Sequence, residues 1–330
     1  MANKHATLAA LFTDIADAIR EKTGDTASIV ADDFPNVIRK RLDVKIYEEC
    51  LTFSSPNSFT LKVADTTNHW NGILEYFASN GTWTTWNGTT TLSSSIRGSD
   101  NVLYLRGTGN TVITGNNYDY RWELTGSNIS CIGNIEYLLD YATVKSGANP
   151  VMANYCYDFM FYGCTALTHA PELPATMLTE YCYSSMFCGC TSLTKAPVLP
   201  ATTLADYCYD SMFSQCTSLT KAPALPATTL APSCYEYMFS GCEALTQAPA
   251  LPATTLADSC YCSMFSGCKK IKLSSTKTGE YTIAYRIPTT GTGTTASRAL
   301  DNMFYRTGGT FKETPAINAT YYLSNTNTIV

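Results

Sequence analysis

The dipeptide Met-Phe returns at positions 160–161, 186–187, 212–213, 238–239 and 264–265, a step of 26 residues without slippage. Two cysteine columns keep the same step: Cys156, Cys182, Cys208, Cys234 and Cys260, then Cys164, Cys190, Cys216, Cys242 and Cys268. Leu167, Leu193, Leu219 and Leu245 continue into Ile271. Two more leucine columns run Leu173, Leu199, Leu225, Leu251 and Leu178, Leu204, Leu230, Leu256. A unit this short cannot bury its own Leu, Met and Phe, so stability must come from stacking one copy on the next. The spacing predicts a solenoid over residues 146–272. Each unit is expected to hold one short helical turn (Tyr183 to Gly189 in the second) and one short strand (Ser192 to Pro197), which the proline ends by removing a donor. Registered strands would form a ladder with a step of about 4.8 Å. Met303-Phe304 lies 39 residues after Met264-Phe265, one period plus a 13-residue insertion around Tyr281 to Pro288. Residues 273–330 therefore read as a degenerate sixth unit and a C-terminal cap.

The flanking sequence has other periods. In residues 1–44, Leu8, Leu11, Phe12, Ile15 and Ile19 make one apolar helical stripe. A second short helix is expected to begin near Asp33-Phe34-Pro35. The pair is too small to hold a core alone, so the stripe either packs on its own chain or serves self-association or docking. Residues 45–145 switch to alternation, with Phe59, Leu61 and Val63 in one run and Leu103 and Leu105 in another. Asn80-Gly81 and Asn87-Gly88 are hairpin-turn pairs. These features predict a β-sandwich that holds all four tryptophans, Trp70, Trp83, Trp86 and Trp122. The tryptophans are read as core, with Trp83 and Trp86 as the pair that would stack on sugar rings in the other reading. The fold class expected is α+β, mostly β.

Only 15% of the 330 residues are charged, against a usual share of about 25%. A net charge of −5 argues against a nucleic-acid partner. No stretch approaches the roughly 18 apolar residues that span a bilayer. The run Ala6 to Phe12 ends at Asp14 and Asp17 without a cleavage site, so a secretory signal is not expected. Three histidines, no Gly-x-Ser-x-Gly and no His-Glu-x-x-His argue against an enzyme and against any metal or cofactor, although a carboxylate pair can converge from distant positions. The ten column cysteines are expected to be free, buried thiols, because stacked identical side chains point the same way. The tyrosines Tyr157, Tyr183, Tyr209, Tyr235 and Tyr261 recur in every unit and read as core. Positions that vary between otherwise identical units are expected on the surface. They are His169, Lys195, Lys221 and Gln247; Glu172, Val198, Ala224 and Ala250; and Asp158, Ser184, Asp210 and Glu236. The first and third columns are the candidate binding residues, and the same pattern would describe any solvated face.

The core of the unit, Met-Phe-x-x-Cys-Thr-x-Leu-Thr, resembles the BspA-like leucine-rich repeats of bacterial surface proteins. The resemblance covers about residues 150–272 and implies a leucine-rich-repeat-like solenoid used for adhesion. The N-terminal Leu-Phe-Thr-Asp-Ile-Ala-Asp-Ala-Ile-Arg-Glu-Lys-Thr-Gly, with Ala-Asp-Asp-Phe-Pro, is similar to a module that opens tail-associated proteins of phages and prophages of gut anaerobes. Secreted BspA-like adhesins carry a signal peptide and a wall anchor, which the sequence does not display. Together the two resemblances imply a phage or prophage tail-fibre or receptor-binding protein. It would reside in the virion tail, be made in the host cytoplasm, and bind a host cell-surface protein or glycan. Residues 1–44 would contact other tail or baseplate proteins or form a homotrimer, and no insertion into the membrane is implied. The alternatives are a BspA-like adhesin on the bacterial cell surface and, from another class, a surface-glycan depolymerase.

Overall fold

The computed structural model describes residues 49–65, 69–78, 81–97, 100–290 and 296–330. The expected N-terminal helices and the stripe Leu8, Leu11, Phe12, Ile15 and Ile19 lie outside these residues. The described chain is mostly β with little helix, and residues Glu49–Val330 form one compact unit.

Alternation in the first part produces strands where the apolar positions predict them. β1 (Leu51–Ser55) pairs antiparallel with β7 (Asp100–Thr108), Phe53 opposite Leu103. β3 (Ile73–Phe77) and β4 (Trp83–Trp86) form a hairpin across the expected turn, where Gly81 has φ +83°. With β6 (Ser95–Arg97), β9 (Ile129–Ile132) and β10 (Leu167–His169) they make a seven-stranded sheet, in the order β10-β9-β1-β7-β3-β4 with β6 beside β7. A second sheet has three strands, β5 (Leu92–Ser93), β2 (Thr60–Val63) and β8 (Trp122–Thr125), with β2 in the middle. Trp86 of the first sheet meets Trp122 of the second edge to face, with ring centroids 5.7 Å apart.

Two expectations for this part are corrected. Asn87-Gly88 does not close a hairpin. Asn87 Oδ1 accepts from the Thr89 N–H, and the chain crosses from β4 in one sheet to β5 in the other. Residues 45–145 also contain a helix, α1 (Tyr137–Lys145), which packs on β7. It is kinked at Asp140, whose carboxylate accepts from the N–H groups of Thr143 and Gly109.

The repeats stack in register, but not through helical turns. In the first coil the N–H groups of Tyr155, Tyr157, Phe159, Phe161 and Gly163 donate to the carbonyls of Glu180, Cys182, Ser184, Met186 and Cys188 in the next coil, at 2.7–3.0 Å. The intervening N–H groups of Met160, Tyr162 and Cys164 donate three residues back. Every fourth residue is left-handed: Tyr155 at φ +59°, Phe159 at +57° and Gly163 at +71°, with the same pattern in later coils. The expected helical turn is thus a train of reverse turns. A helix would keep its N–H bonds inside one coil. Here alternate bonds are spent between coils, and that holds the Met and Phe side chains against their copies. The expected strand is mostly reduced to single bridges such as His169 with Lys195, because prolines remove donors at short intervals.

The apolar columns form the core. The Met, Phe, Tyr and Cys columns are 0–3% exposed. The phenylalanines stack from Phe161 through Phe187, Phe213, Phe239 and Phe265 to Phe304 at 5.7–5.8 Å with planes within 10°. Phe265 N–H donates to Met303 O, so the sixth coil continues the stack beyond the insertion. That insertion supplies β14 (Tyr281–Arg286). It pairs with β17 (Thr320–Ser324) in a sheet with β13 (Lys272–Ser274) and β16 (Gly308–Gly309). At the other end, Trp122 N–H bonds Met160 O, and the Trp122 and Phe53 rings contact Phe161. The β-rich part therefore acts as the rung before the first repeat, and the expected division near residue 145 is not a gap in the packing.

Candidate recognition surface

The strand-side column begins where β10 adds to the large sheet. Leu167 points inward at 0% exposure, and the alternation turns His169 out. His169 bridges Lys195, and Lys221 bridges Gln247, both in parallel register. Gln247 lies in β11 (Gln247–Ala248), which pairs with β18 (Thr328–Ile329). His169, Lys195 and Lys221 are exposed and Gln247 is half-buried. Among the described residues no carboxylate lies within ion-pair distance of Lys195 or Lys221. Three residues further on, Glu172, Val198, Ala224 and Ala250 are exposed as well, Val198 at 77%. Between the first two rungs lies an open groove of about 470 Å³ walled by His169, Pro171, Glu172, Lys195, Pro197 and Val198. The arrangement offers cations at a regular step beside an apolar rim.

The turn-side column is a correction. Asp158 and Ser184 are buried at 3% exposure, and Asp210 and Glu236 are half-buried. Residues at this position lie inside the train of turns, flanked by the inter-coil bonds of their neighbours, so variation there does not mean exposure. Burial pushes the Asp158 carboxyl up to about 7, the Ser184 hydrogen bond opposing and the Asp210 charge adding. Its Oδ1 has no hydrogen-bond partner among the described residues. Asp210 is pushed up to about 7 by burial and then by the Glu236 charge. These side chains form a line of acids within the stack rather than an open acidic face.

Trp83 and Trp86 are not free platforms. Trp86 is 1% exposed and its Nε1 donates to Thr90 O at 2.9 Å. Trp83 is half-buried, edge-on to Phe77, with the Arg106 guanidinium 4.1 Å above its ring. The hydrophobic environment of the sandwich core claims the first ring and a cation covers a face of the second. The fourteen cysteines are free, and the second column has a specific task. Cys190, Cys216, Cys242 and Cys268 each donate Sγ–H to the Phe carbonyl of the coil before, at 3.0–3.1 Å. The repeating tyrosines Tyr157 to Tyr261 are buried at 0–1% exposure.

Sequence reading missed an outer tyrosine row. Tyr155, Tyr181 and Tyr207 stack at 4.7 and 4.5 Å and are half-buried. The signal was present: Tyr-Cys-Tyr opens the first three units and Ser-Cys-Tyr the next two. Among the described residues there is no group of three His, Cys, Asp or Glu placed to hold a metal, and no helix long and apolar enough to cross a membrane. No protein-family model, no curated protein and no solved structure matches the chain.

Proposed function

We propose that this chain is a receptor-binding protein of a phage or prophage tail fibre, and that its repeats are a BspA-like leucine-rich solenoid that adheres to a host cell-surface protein or glycan. The observation that supports this reading is the column His169, Lys195 and Lys221, exposed on consecutive rungs of a hydrogen-bonded stack and without ion-pair partners among the described residues. A rigid backbone presents such side chains at little further backbone entropy cost. Two uncompensated ammonium groups on neighbouring rungs repel, and an anionic group on the receptor relieves that repulsion. The test is adhesion of labelled protein to a panel of gut-anaerobe cells, comparing wild type with Lys195→Glu/Lys221→Glu. Binding should fall about tenfold or more while the melting temperature is unchanged. Equal binding by the double variant would refute the role of this column.

Residues 1–44 are proposed to assemble the fibre as a homotrimer or to join it to other tail proteins. Light scattering of the full chain and of a fragment starting at residue 45 should give a trimer and a monomer respectively. A monomer in both cases removes the assembly role.

A further inference from the structure

A second concave site lies where β8 meets the first coil. This groove of about 320 Å³ is lined by Tyr118, Arg121, Glu123, Thr125, Tyr162 and Gly163, among others. Tyr118 is 43% exposed and stands edge to face with Tyr162, ring centroids 4.9 Å apart. The Arg121 guanidinium sits 4.1 Å over the Tyr118 ring, and its Nη2 donates to Glu123 Oε1 at 2.9 Å. The other carboxylate oxygen, Oε2, pairs with Lys62 Nζ at 2.8 Å. Arg121 Nη1 also donates to Tyr118 O.

Three features of this groove point to one ligand chemistry. Its charges are already matched, Lys62 and Arg121 against Glu123 and Asp119, so no net charge remains to select an ion. Hydrogen-bonding capacity remains, since a carboxylate accepts about four bonds and a guanidinium donates five, more than the partners named here use. The aromatic wall is not demanded by the fold. The position of Tyr162 holds Cys188, Ser214, Ser240 and Ser266 in the next four coils, and that of Phe159, which also touches Tyr118, holds Ser185 and Ser211 in the next two. Tyr237 in the fourth coil and Tyr305 in the sixth restore a ring at one of the two positions, and the first coil alone carries rings at both, beside the groove. Planar polar groups that bridge adjacent hydroxyls, beside rings that cover C–H bonds, suit a pyranose.

We propose that the groove between Tyr118, Tyr162, Arg121 and Glu123 binds a neutral sugar residue of a glycan, as a site separate from the strand-side lysine column. Tyr162 would cover the apolar face of the sugar ring, and Arg121, seated over Tyr118, would hydrogen-bond the vicinal hydroxyls together with Glu123.

The test is saturation-transfer NMR on the full chain with millimolar glucose, galactose, mannose and N-acetylglucosamine, and with N-acetylneuraminic acid as the charged comparison. At least one neutral sugar should receive saturation at its ring C–H protons. Tyr162→Ser, which installs the residue used by three later coils, should weaken binding about tenfold with the melting temperature retained. Lys195→Glu/Lys221→Glu should leave the sugar signal intact, which separates this site from the adhesive column. No transfer from any neutral sugar, preference for the charged sugar, or full binding by Tyr162→Ser would each overturn the proposal.

Discussion

The β-rich part and the repeat stack share one core but are held together by different kinds of bond. In the first, each tie is unique. Asn110, 2% exposed, accepts from the Gly72 N–H and donates Nδ2 to the carbonyls of Ile73 and Leu138, joining three distant segments through one side chain. In the second, the same bonds recur coil after coil between residues 25 positions apart, widening to 38 at the step into the sixth coil, and β18 returns from the C-terminus to Gln247. One architecture is specified by particular residues, the other by a repeated rule. Local damage should therefore spread differently in each.

The largest expected effect is from Leu219→Asp at the middle of the stack, where Leu219 is 0% exposed. A carboxylate there has no partner and should cost about 4–5 kcal/mol or more. Hydrogen exchange should show protection lost first in the coils on either side of residue 219, with the amides of β1 and β7 holding longest. Simultaneous loss everywhere would mean that the two regions unfold as one.

Asn110→Ala attacks the other region and should cost about 2–4 kcal/mol by leaving buried carbonyls without donors, read as a lower urea midpoint. Gly107→Ala should be of similar size, since its Cβ would fall on the Leu138 carbonyl oxygen of the helix packed against β7. If either variant melts like wild type, the unique ties are not what holds the β-rich part.

The acid line supplies a pH test confined to the stack. Asp158 and Asp210 have folded values raised to about 7 from the ordinary aspartate value of 3.8. The stability their neutral forms provide is therefore complete below the unfolded value, and is lost as pH rises from there through about 7. The melting temperature should fall between about pH 4 and pH 7 and level off above that, by an amount equivalent to roughly 1–3 kcal/mol. Asp158→Asn/Asp210→Asn should flatten that slope. A slope of the same size in the double variant would place the titrating groups elsewhere.

The smallest effect sharpens the rule of the stack itself. Gly163, Gly189, Gly241 and Gly267 occupy a left-handed position that the third coil fills with Gln215, at φ +61°. Gln215→Gly should raise stability by about 0.5–1 kcal/mol by relieving that conformation, measured by chemical denaturation. A loss instead would show that the Gln215 side chain, which lies beside Gly241, contributes more than its backbone costs.

Much of the fold can be read from the sequence. The period, the buried columns and the sixth coil at Met303-Phe304 follow from counting, because identical apolar residues at a fixed step bury best against each other. The hairpin at Gly81 follows from turn chemistry. The turns of the coil do not, since Tyr155, Phe159 and Ser185 carry no mark of the left-handed conformation they adopt. They are held there by bonds to the next coil, and those partners exist only once the coils stack. The candidate surface divides in the same way. The column at Lys195 and Lys221 is exposed because strand alternation turns it outward. The column at Asp158 and Asp210 varies equally and is covered, because burial at a turn is set by its neighbours in space.

By itself, then, the sequence determined the repeat, its registry and the composition of its core, since these depend on side-chain type at a fixed spacing. The tertiary structure alone decided how the backbone bonds are divided between coils, which variable residues reach water, and that Tyr118, Arg121 and Glu123 of the β-rich part meet Tyr162 of the first coil in one groove. The physical reason is that hydrogen-bond partners and solvent access belong to pairs of segments, and a residue carries no record of its partner until the segments are packed together.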